Sequence, residues 1–187
     1  MKDDQTMKKP EQPPSIWQKS WMKNLLTVLL FVAIFMALRP LMQGDVIEGQ
    51  APKLQLQSLN GETLDLQAMN AQGEPVLIHI WATWCPVCTF SRDGIENIAA
   101  DHKVISIATQ SGDDQQLLDY AAEHKMNTSL IVNDLDGAIA KQFGAKGVPA
   151  DFVIAPNGNI EFVEVGVTSS IGLRLRLWWA GLQGEDK

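Results

Sequence analysis

The sequence predicts an α/β fold with a central mixed sheet flanked by helices, preceded by one apolar segment. The β-branched and apolar run at residues 76–81 is followed by a helix-like stretch and then by a second strand-like run at residues 104–109. Two neighbouring strands that are joined through a helix lie parallel. Residues 151–155 and 160–165 flank the turn sequence Pro-Asn-Gly-Asn and predict an antiparallel pair. Parallel and antiparallel neighbours together make a mixed sheet.

The N-terminal part of the chain predicts a membrane anchor. Residues 1–22 are polar and lysine-rich, and we interpret them as a cytoplasmic tail that is flexible as far as residue 20. Residues 23–42 contain the apolar run 25–38 and reach the length of about 20 residues that crosses a bilayer as one transmembrane helix. Basic residues precede this segment, so the positive-inside rule places the tail in the cytoplasm and the rest of the chain outside it. A cleaved signal peptide is the competing interpretation.

Charge is divided unevenly along the chain. Residues 1–39 carry six Lys or Arg and three Asp or Glu. Residues 40–187 carry nine Lys or Arg and nineteen Asp or Glu. An acidic domain has no electrostatic reason to bind nucleic acid, and a basic end beside an apolar segment indicates a membrane. We therefore expect a single-pass membrane protein, with a linker at residues 43–50 and a domain outside the cytoplasm at residues 51–183.

The remaining elements follow from alternation, turn residues and helix caps. Asn60-Gly61 between two alternating runs predicts a β-hairpin at residues 53–59 and 63–66. Thr168 is the expected cap of a last helix that has Leu173, Leu177 and Trp178 at core spacing. The other predicted elements are, in chain order, a strand at 76–81, a helix at 86–100, a strand at 104–109, a helix at 115–125, a short strand at 130–132, a small helix at 136–143, strands at 151–155 and 160–165, and a helix at 169–182.

The only two cysteines of the chain, Cys85 and Cys88, lie between the strand at residues 76–81 and the helix predicted to follow it. The first turn of a helix offers unpaired N–H groups and the positive end of the helix dipole, and both favour a thiolate. A thiol in this position has a lowered pKa, and the thiolate is the attacking species in disulfide exchange. We therefore predict that Cys85 is the exposed nucleophile and that Cys88, one turn deeper, resolves the mixed disulfide.

Other uses of a Cys-x-x-Cys pair compete with redox chemistry. A purely structural disulfide at this spacing would close a very short loop and stabilise the fold little. A zinc site needs four ligands, and no second Cys-x-x-Cys accompanies His79, His102 and His124, so we predict no metal site. A reduced dithiol also binds Cu(I), because soft thiolates select that ion. A Cu(I)-binding or delivery module is therefore the alternative function from a different class.

Two motifs carry a resemblance to a known family. Residues 81–88, Trp-Ala-Thr-Trp-Cys-Pro-Val-Cys, resemble the active site of the thioredoxin superfamily, and residues 147–152, Gly-Val-Pro-Ala-Asp-Phe, resemble its cis-proline loop. The similarity extends over about residues 51–180. It looks closest to the membrane-anchored TlpA/ResA-like branch and, within it, to the suppressor-of-copper-sensitivity D group. The resemblance implies a thioredoxin-like fold with an N-terminal β-hairpin and a central insertion.

The resemblance also implies roles for residues around the dithiol. In the superfamily the cis-proline loop faces the cysteines, so Val148 and Pro149 are expected to bind substrate. Trp84 and Pro86, which flank the nucleophile, are expected to do the same, with Trp84 shielding the sulfur. Trp81 is expected in the core.

His79 and Ser91 depart from the family pattern. Thioredoxins have a buried acid at the position of His79, held to assist proton transfer at the second cysteine, and a histidine is chemically able to do this. A hydrogen-bonded core histidine is the equally weighted alternative. Relatives that act in cytochrome c maturation often have a functional acid at the position of Ser91, so a cytochrome c maturation reductant is the alternative function rather than the first.

We therefore expect an extracytoplasmic, membrane-anchored thiol–disulfide oxidoreductase that needs no cofactor beyond its own dithiol. The resemblance implies a bacterial inner membrane, with the domain in the periplasm. It also implies that the partners are protein thiols and disulfides, together with a transmembrane electron-transfer protein in that membrane. The copper-sensitivity resemblance adds a link to copper tolerance.

Overall fold

The computed structural model describes residues 16–43, residue 47 and residues 49–183. The chain divides into two compact units, Met1–Leu41 and Met42–Lys187, which are described separately below. Residues 1–15 of the predicted tail and residues 44–46 and 48 of the predicted linker lie outside the described residues.

Helix α1 spans Ile16–Gln43, and its residues up to Leu41 belong to the first unit. Residues 16–20 are therefore helical, and the prediction of a flexible tail as far as residue 20 is wrong for them. The side chains of residues 21–34 are all exposed within this structure. Among the helices that the structure describes, none combines the length and the apolar character that crossing a membrane requires. The transmembrane helix predicted at residues 23–42 is therefore not confirmed.

The second unit is built on a six-stranded mixed sheet with the strand order β1-β8-β7-β4-β5-β6. Strand β4 pairs in parallel with β5, and β5 pairs in parallel with β6, whereas β4–β7, β7–β8 and β1–β8 are antiparallel. A separate two-stranded sheet, β2–β3, is the hairpin predicted around Asn60-Gly61. The strands are β1 Gly49–Gln50, β2 Gln55–Gln57, β3 Thr63–Asp65, β4 Val76–Trp81, β5 Lys103–Thr109, β6 Ile131–Asp134, β7 Ala150–Ile154 and β8 Asn159–Val165.

Helices cover both faces of the sheet, which confirms the predicted α/β architecture. Successive residues of a strand point to opposite faces, and β4 therefore contributes Ile78 and Ile80 to one core cluster and Leu77 to another. The first cluster includes side chains of α2 and α5, and the second includes side chains of α3 and α6. The helices are α2 Leu66–Asn70, a 3₁₀ turn Pro86–Cys88, α3 Thr89–Ala99, α4 Asp114–Glu123, α5 Ala138–Gln142 and α6 Ser170–Leu182.

Several boundaries differ from the prediction for local reasons. The helix predicted from residue 86 begins as the 3₁₀ turn and becomes α-helical only at Thr89. The last helix is capped by Ser169 rather than Thr168, because the Ser169 hydroxyl accepts the N–H of Gly172 at 3.1 Å. Residues 49–50 of the predicted linker form edge strand β1 against β8. The short helix α2, capped by the Asp65 carboxylate, was not predicted.

Candidate active site

Cys85 and Cys88 lie where β4 gives way to α3, and they form a disulfide with a Cα–Cα distance of 5.4 Å. Cys85 is the N-cap of the 3₁₀ turn, and its sulfur accepts the backbone N–H of Cys88 at 3.2 Å. Pro86 follows at the first position of the turn, where a missing N–H costs nothing. A backbone donor thus lies against the first sulfur, and the residues that the structure describes provide none against the second.

Burial does not distinguish the two sulfurs in the way the sequence predicted. Each cysteine is only 5% exposed, so the expectation of an exposed Cys85 and a deeper Cys88 is wrong for this disulfide form. Their surroundings differ instead. Cys85 lies next to the loop at Val148, whereas Cys88 lines an interior cavity together with His79.

The loop before β7 approaches the first sulfur. The Val148–Pro149 peptide bond is cis, and the Val148 carbonyl oxygen is 3.6 Å from Cys85 Sγ. Pro149 is buried and Val148 is half-buried. The structure therefore brings together three of the residues predicted from the two sequence motifs, Cys85, Val148 and Pro149.

A cleft of about 360 Å³ adjoins this loop. Its lining includes Trp84, Gln110, Lys141, Gly147 and Val148. The volume lies within the range of roughly 300–1,000 Å³ that is typical of ligand clefts.

The two tryptophans of the motif have different environments. Trp81 is buried, as predicted, and its Nε1 donates to the Ser106 hydroxyl at 2.8 Å. Trp84 is 60% exposed, and its Nε1 donates to the Gln110 carbonyl at 3.0 Å. The hydrogen bond holds the Trp84 indole at the cleft rather than in the core.

An exposed apolar patch continues from Trp84 along the start of α3. Val87 and Phe90 are 45% and 80% exposed, and Pro86 between Trp84 and Val87 is exposed as well. Exposed apolar groups next to a reactive centre are typical of an interaction surface. Phe90 was missed at the sequence level, because an apolar residue in an amphipathic helix is normally assigned to the core.

His79 is buried beneath the cysteines and has a carboxylate partner. Its Nδ1 is 2.7 Å from Oδ1 of Asp151, and both side chains are almost completely buried. The other carboxylate oxygen of Asp151 has no hydrogen-bond partner among the residues that the structure describes. Asp151 belongs to the Gly-Val-Pro-Ala-Asp-Phe motif, but sequence reasoning gave it no role.

A small cavity connects His79 with the second cysteine. It measures about 10 Å³ and is lined by both residues together with Trp81, Ser106 and Tyr120. Arg92 and Glu96 of α3 also line it. Ser91 is buried and its hydroxyl donates to the Cys88 carbonyl at 3.0 Å, so this position carries a helix-internal hydrogen bond rather than an acid.

The described residues contain no cluster of three or more His, Cys, Asp or Glu side chains arranged to hold a metal ion. His102 and His124, the other histidines considered for a metal site, are separate from the dithiol cavity, and the His124 ring packs edge-on against Tyr120 instead.

Comparison with known proteins identifies the family. The chain matches the model of the AhpC/TSA family over residues 47–163, a range that contains both cysteines, His79 and the loop at Val148. The chain belongs to the AhpC/TSA family. The matched range contains strands β1 to β7 and ends within β8.

Two curated relatives of this AhpC/TSA member share most of its length. A thioredoxin-like protein from Haemophilus influenzae is 31% identical over 140 residues, covering 74% of this chain and 82% of the relative. The thiol:disulfide interchange protein DsbE from Escherichia coli is 29% identical over 138 residues, covering 73% of this chain and 72% of DsbE.

Solved structures show the same fold at lower identity. A secreted thiol-disulfide isomerase from Corynebacterium glutamicum has a TM-score of 0.63 and 15% identity, covering 74% of this chain and 92% of its own. The exposed lipoprotein thioredoxin Etrx1 from Streptococcus pneumoniae has a TM-score of 0.60 and 17% identity, covering 68% of this chain and 99% of its own. The fold is therefore the predicted thioredoxin-like α/β fold. The family, the relatives and the dithiol together identify the AhpC/TSA member as a thiol–disulfide oxidoreductase.

Proposed function

We propose that this oxidoreductase exchanges disulfides with other proteins outside the cytoplasm, with Cys85 as the attacking residue and Cys88 as the resolving residue. The observation that carries the proposal is the backbone N–H of Cys88 directed at Cys85 Sγ at 3.2 Å. A hydrogen bond to the charged form of a thiol favours that form. No equivalent donor to Cys88 Sγ is found in the described part of the chain.

The exchange proceeds in two steps. The Cys85 thiolate attacks a substrate disulfide, so that a Cys85–substrate S–S bond forms while the substrate S–S bond breaks and one substrate sulfur leaves as a thiolate. Cys88 then attacks the Cys85 sulfur, the Cys85–Cys88 bond forms, and the second substrate sulfur leaves. Two electrons pass to the substrate, and the same steps in reverse oxidise it. No cofactor is needed, because the electrons move between sulfur atoms only.

His79 is the proposed proton acceptor for the Cys88 thiol in the second step. Both residues line the same interior cavity, and a histidine is a side chain able to take and return protons near neutral pH. Cys85, by contrast, faces the Val148 loop. The two sulfurs are thus served by different groups.

Substrate is proposed to bind along the Val148–Pro149 loop. An extended peptide that pairs with the backbone of Val148 would bring its disulfide to Cys85, 3.6 Å from the Val148 carbonyl. Trp84 and Pro86 flank the approach and expose apolar surface. Main-chain pairing of this kind tolerates many substrate sequences, which suits an enzyme that acts on protein disulfides.

Trapping of the mixed disulfide tests the proposal. Cys88→Ala removes the resolving thiol, so covalent complexes with partner proteins should accumulate on Cys85 and disappear with dithiothreitol on a non-reducing gel. Cys85→Ala is the matched control and should accumulate few complexes. The assignment fails if only the Cys85→Ala variant traps partners.

Position outside the cytoplasm, at a bacterial inner membrane, is supported by the charge pattern of residues 1–39 and by the exposed, mostly apolar side chains of residues 21–34. In this setting a transmembrane electron-transfer protein would supply or accept the electrons. A reporter enzyme that is active only in the periplasm, fused after Gln183, should be active. Activity of a cytoplasm-only reporter at the same site would overturn this topology.

A link to copper tolerance is the finer assignment that we propose, on the resemblance of the Cys-Pro-Val-Cys motif and the 147–152 loop to the copper-sensitivity D group. Reduction during cytochrome c maturation is the alternative. Relatives with that role often have an acidic residue at the position where this chain has Ser91, whose hydroxyl donates to a backbone carbonyl. Direct binding and delivery of Cu(I) is the other alternative.

Insulin reduction without stoichiometric Cu(I) binding by the reduced protein supports disulfide exchange. Tight Cu(I) binding without reductase activity supports Cu(I) delivery.

A further inference from the structure

Three polar side chains lie side by side on one face of the sheet. Ser106 of β5 and Asp151 of β7 are the direct cross-strand neighbours of His79 on β4. All three are buried, and directly opposed residues of paired strands project from the same face. Ser106 is occupied as the acceptor of the Trp81 indole N–H. Asp151 is therefore the polar neighbour that engages the imidazole of His79.

We propose that Asp151 is a positioning residue for His79, which fixes the imidazole with Nδ1 toward the carboxylate and leaves Nε2 to accept the proton of Cys88. The 2.7 Å contact between His79 Nδ1 and Asp151 Oδ1 sets this orientation. A hydrogen bond at one ring nitrogen determines which nitrogen carries the proton in the neutral ring. The inference rests on the proposed function, because it specifies how the resolving step of that exchange loses its proton.

The cavity provides the path for the proton. His79 and Cys88 both line it, and its size of about 10 Å³ is close to the roughly 10–15 Å³ that one water molecule needs. Ser106 and Tyr120 contribute further polar groups to the lining. The Cys88 proton thus reaches Nε2 either directly or through one water.

In the resolving step the S–H bond of Cys88 breaks and the Cys85–Cys88 bond forms. The Cys85–substrate bond breaks, and the substrate sulfur leaves with the electron pair of that bond. The proton goes to His79 Nε2 and creates an imidazolium beside the Asp151 carboxylate. An ionised partner is what makes a buried positive charge tolerable. In the reverse direction the pair returns the proton to the Cys88 sulfur.

A purely structural role explains Asp151 poorly, and Asp134 illustrates why. Asp134 is equally buried, and its two carboxylate oxygens accept the N–H groups of Ile139 and Ala140 at 2.9 and 3.0 Å. Asp151 instead has one oxygen on His79 and one without a partner among the described residues. Asp151 thus holds no turn or helix start as Asp134 does, and its side-chain contact among the described residues is the His79 imidazole, which suits a carboxylate that holds a histidine.

Other titratable groups face the pair from the neighbouring elements. Arg92 and Glu96 of α3 and Tyr120 of α4 line the cavity. On β8, Glu164 lies opposite Asp151 and forms an ion pair with Arg176 of α6 at 2.5 Å. The test therefore compares variants at one pH and one ionic strength, with all these residues unchanged.

The reaction of the fully reduced protein with the aromatic disulfide dithiobis(nitrobenzoate) separates the two steps. The first thionitrobenzoate released reports attack by Cys85, and the second reports resolution by Cys88. Asp151→Asn should slow the second phase by roughly tenfold or more and leave the first within about twofold, since general acid–base groups contribute about 10²–10⁴. His79→Asn should slow the second phase and spare the first in the same way. In the double variant the second phase should be no slower than in the slower of the two single variants.

Asp134→Asn is the matched control, because it makes the same change at an equally buried carboxylate outside the cavity. It should lower thermal stability and leave both phases unchanged. A second phase at the wild-type rate in Asp151→Asn, or one slowed equally in Asp134→Asn, overturns the inference. Absence of a first phase from Cys85 in the unaltered protein overturns the proposed function instead.

The ring nitrogens of His79 give a test that needs no variant to fold. Nitrogen-15 spectra of the neutral ring in the unaltered protein should show the proton on Nδ1, next to Asp151 Oδ1. In Asp151→Asn this preference should weaken or reverse. A neutral His79 that carries its proton on Nε2 in the unaltered protein would refute the positioning role, whatever the kinetics.

Discussion

Alkylation of the reduced protein at about pH 6 should label Cys85 roughly three- to tenfold faster than Cys88. In the disulfide form both cysteines are 5% exposed, so burial gives no reason to expect one to be labelled faster than the other. The difference in labelling rate comes from the Cys88 backbone N–H, whose nitrogen is 3.2 Å from Cys85 Sγ. A hydrogen bond to a charged group contributes about 1.5–3 kcal/mol, and since about 1.4 kcal/mol is a factor of ten, the thiolate population of Cys85 rises by roughly ten- to a hundredfold.

The labelling rate rises less than the thiolate population. A more stable thiolate is a weaker nucleophile, and the Brønsted coefficient of about 0.4–0.5 removes nearly half of the gain on a logarithmic scale. A factor of roughly ten to a hundred in population therefore becomes a factor of about three to ten in rate. The assay is a short exposure to iodoacetamide followed by quantitative mass spectrometry of the peptides that contain each cysteine.

Two single variants show whether the backbone donor is the cause. Cys88→Ser keeps the N–H at residue 88 and removes only the thiol, so Cys85 should be labelled at nearly the unaltered rate. Cys85→Ser leaves Cys88 without an equivalent donor, so Cys88 should be labelled slowly. The reasoning is refuted if Cys88 is labelled as fast as Cys85 in the reduced protein, or if Cys88→Ser abolishes the advantage of Cys85.

Four further substitutions test stability and substrate binding. Asp134→Ala leaves two backbone N–H groups at the start of α5 without their acceptor and should lower the free energy of unfolding by about 2–5 kcal/mol. Asp136→Ala removes a single exposed contact to Ala138 and should cost about 1 kcal/mol or less in urea denaturation. Phe152→Ala empties a fully buried site next to Phe143, with ring centroids 4.8 Å apart, and should cost about 3–5 kcal/mol. Phe90 is 80% exposed, so Phe90→Ala should change the free energy of unfolding by less than about 0.5 kcal/mol. In a Cys88→Ala background it should reduce the amount of trapped partner protein. Undiminished trapping would exclude Phe90 from the substrate surface.

The architecture was predictable because each signal in the sequence is local. The apolar run of β4 is too short for a helix and is bounded by turn residues, and Asn60-Gly61 fixes the first hairpin. Caps were less predictable where two candidates are adjacent, as at Thr168 and Ser169. Either hydroxyl is chemically competent to cap a helix, and only the position of the first turn of α6 selects Ser169.

Features that depend on tertiary contacts were missed. Strand β1 consists of Gly49 and Gln50, which have no strand preference, and exists only because β8 offers it an edge. The equal burial of the two cysteines has a similar origin. Position in a helix predicts that Cys85 is nearer the surface, but the half-buried Val148 of a loop distant in sequence lies against it.

The pairing of His79 with Asp151 was predictable from the sequence except for the strand register. Both strands that carry the pair were predicted, and antiparallel pairing of β4 with β7 leaves only the register undetermined. In the observed register Ile78 is opposite Phe152 and His79 is opposite Asp151. A shift by two residues would keep every apolar side chain on its own face and set Asp151 opposite Trp81, so alternation alone does not choose between the two registers. The choice is made where β4 ends and β7 begins. There the Val148–Pro149 loop approaches Cys85, and β7 continues from that loop and places Asp151 opposite His79. The loop that is proposed to bind substrate at the first sulfur thus also determines which residue holds the proton acceptor of the second.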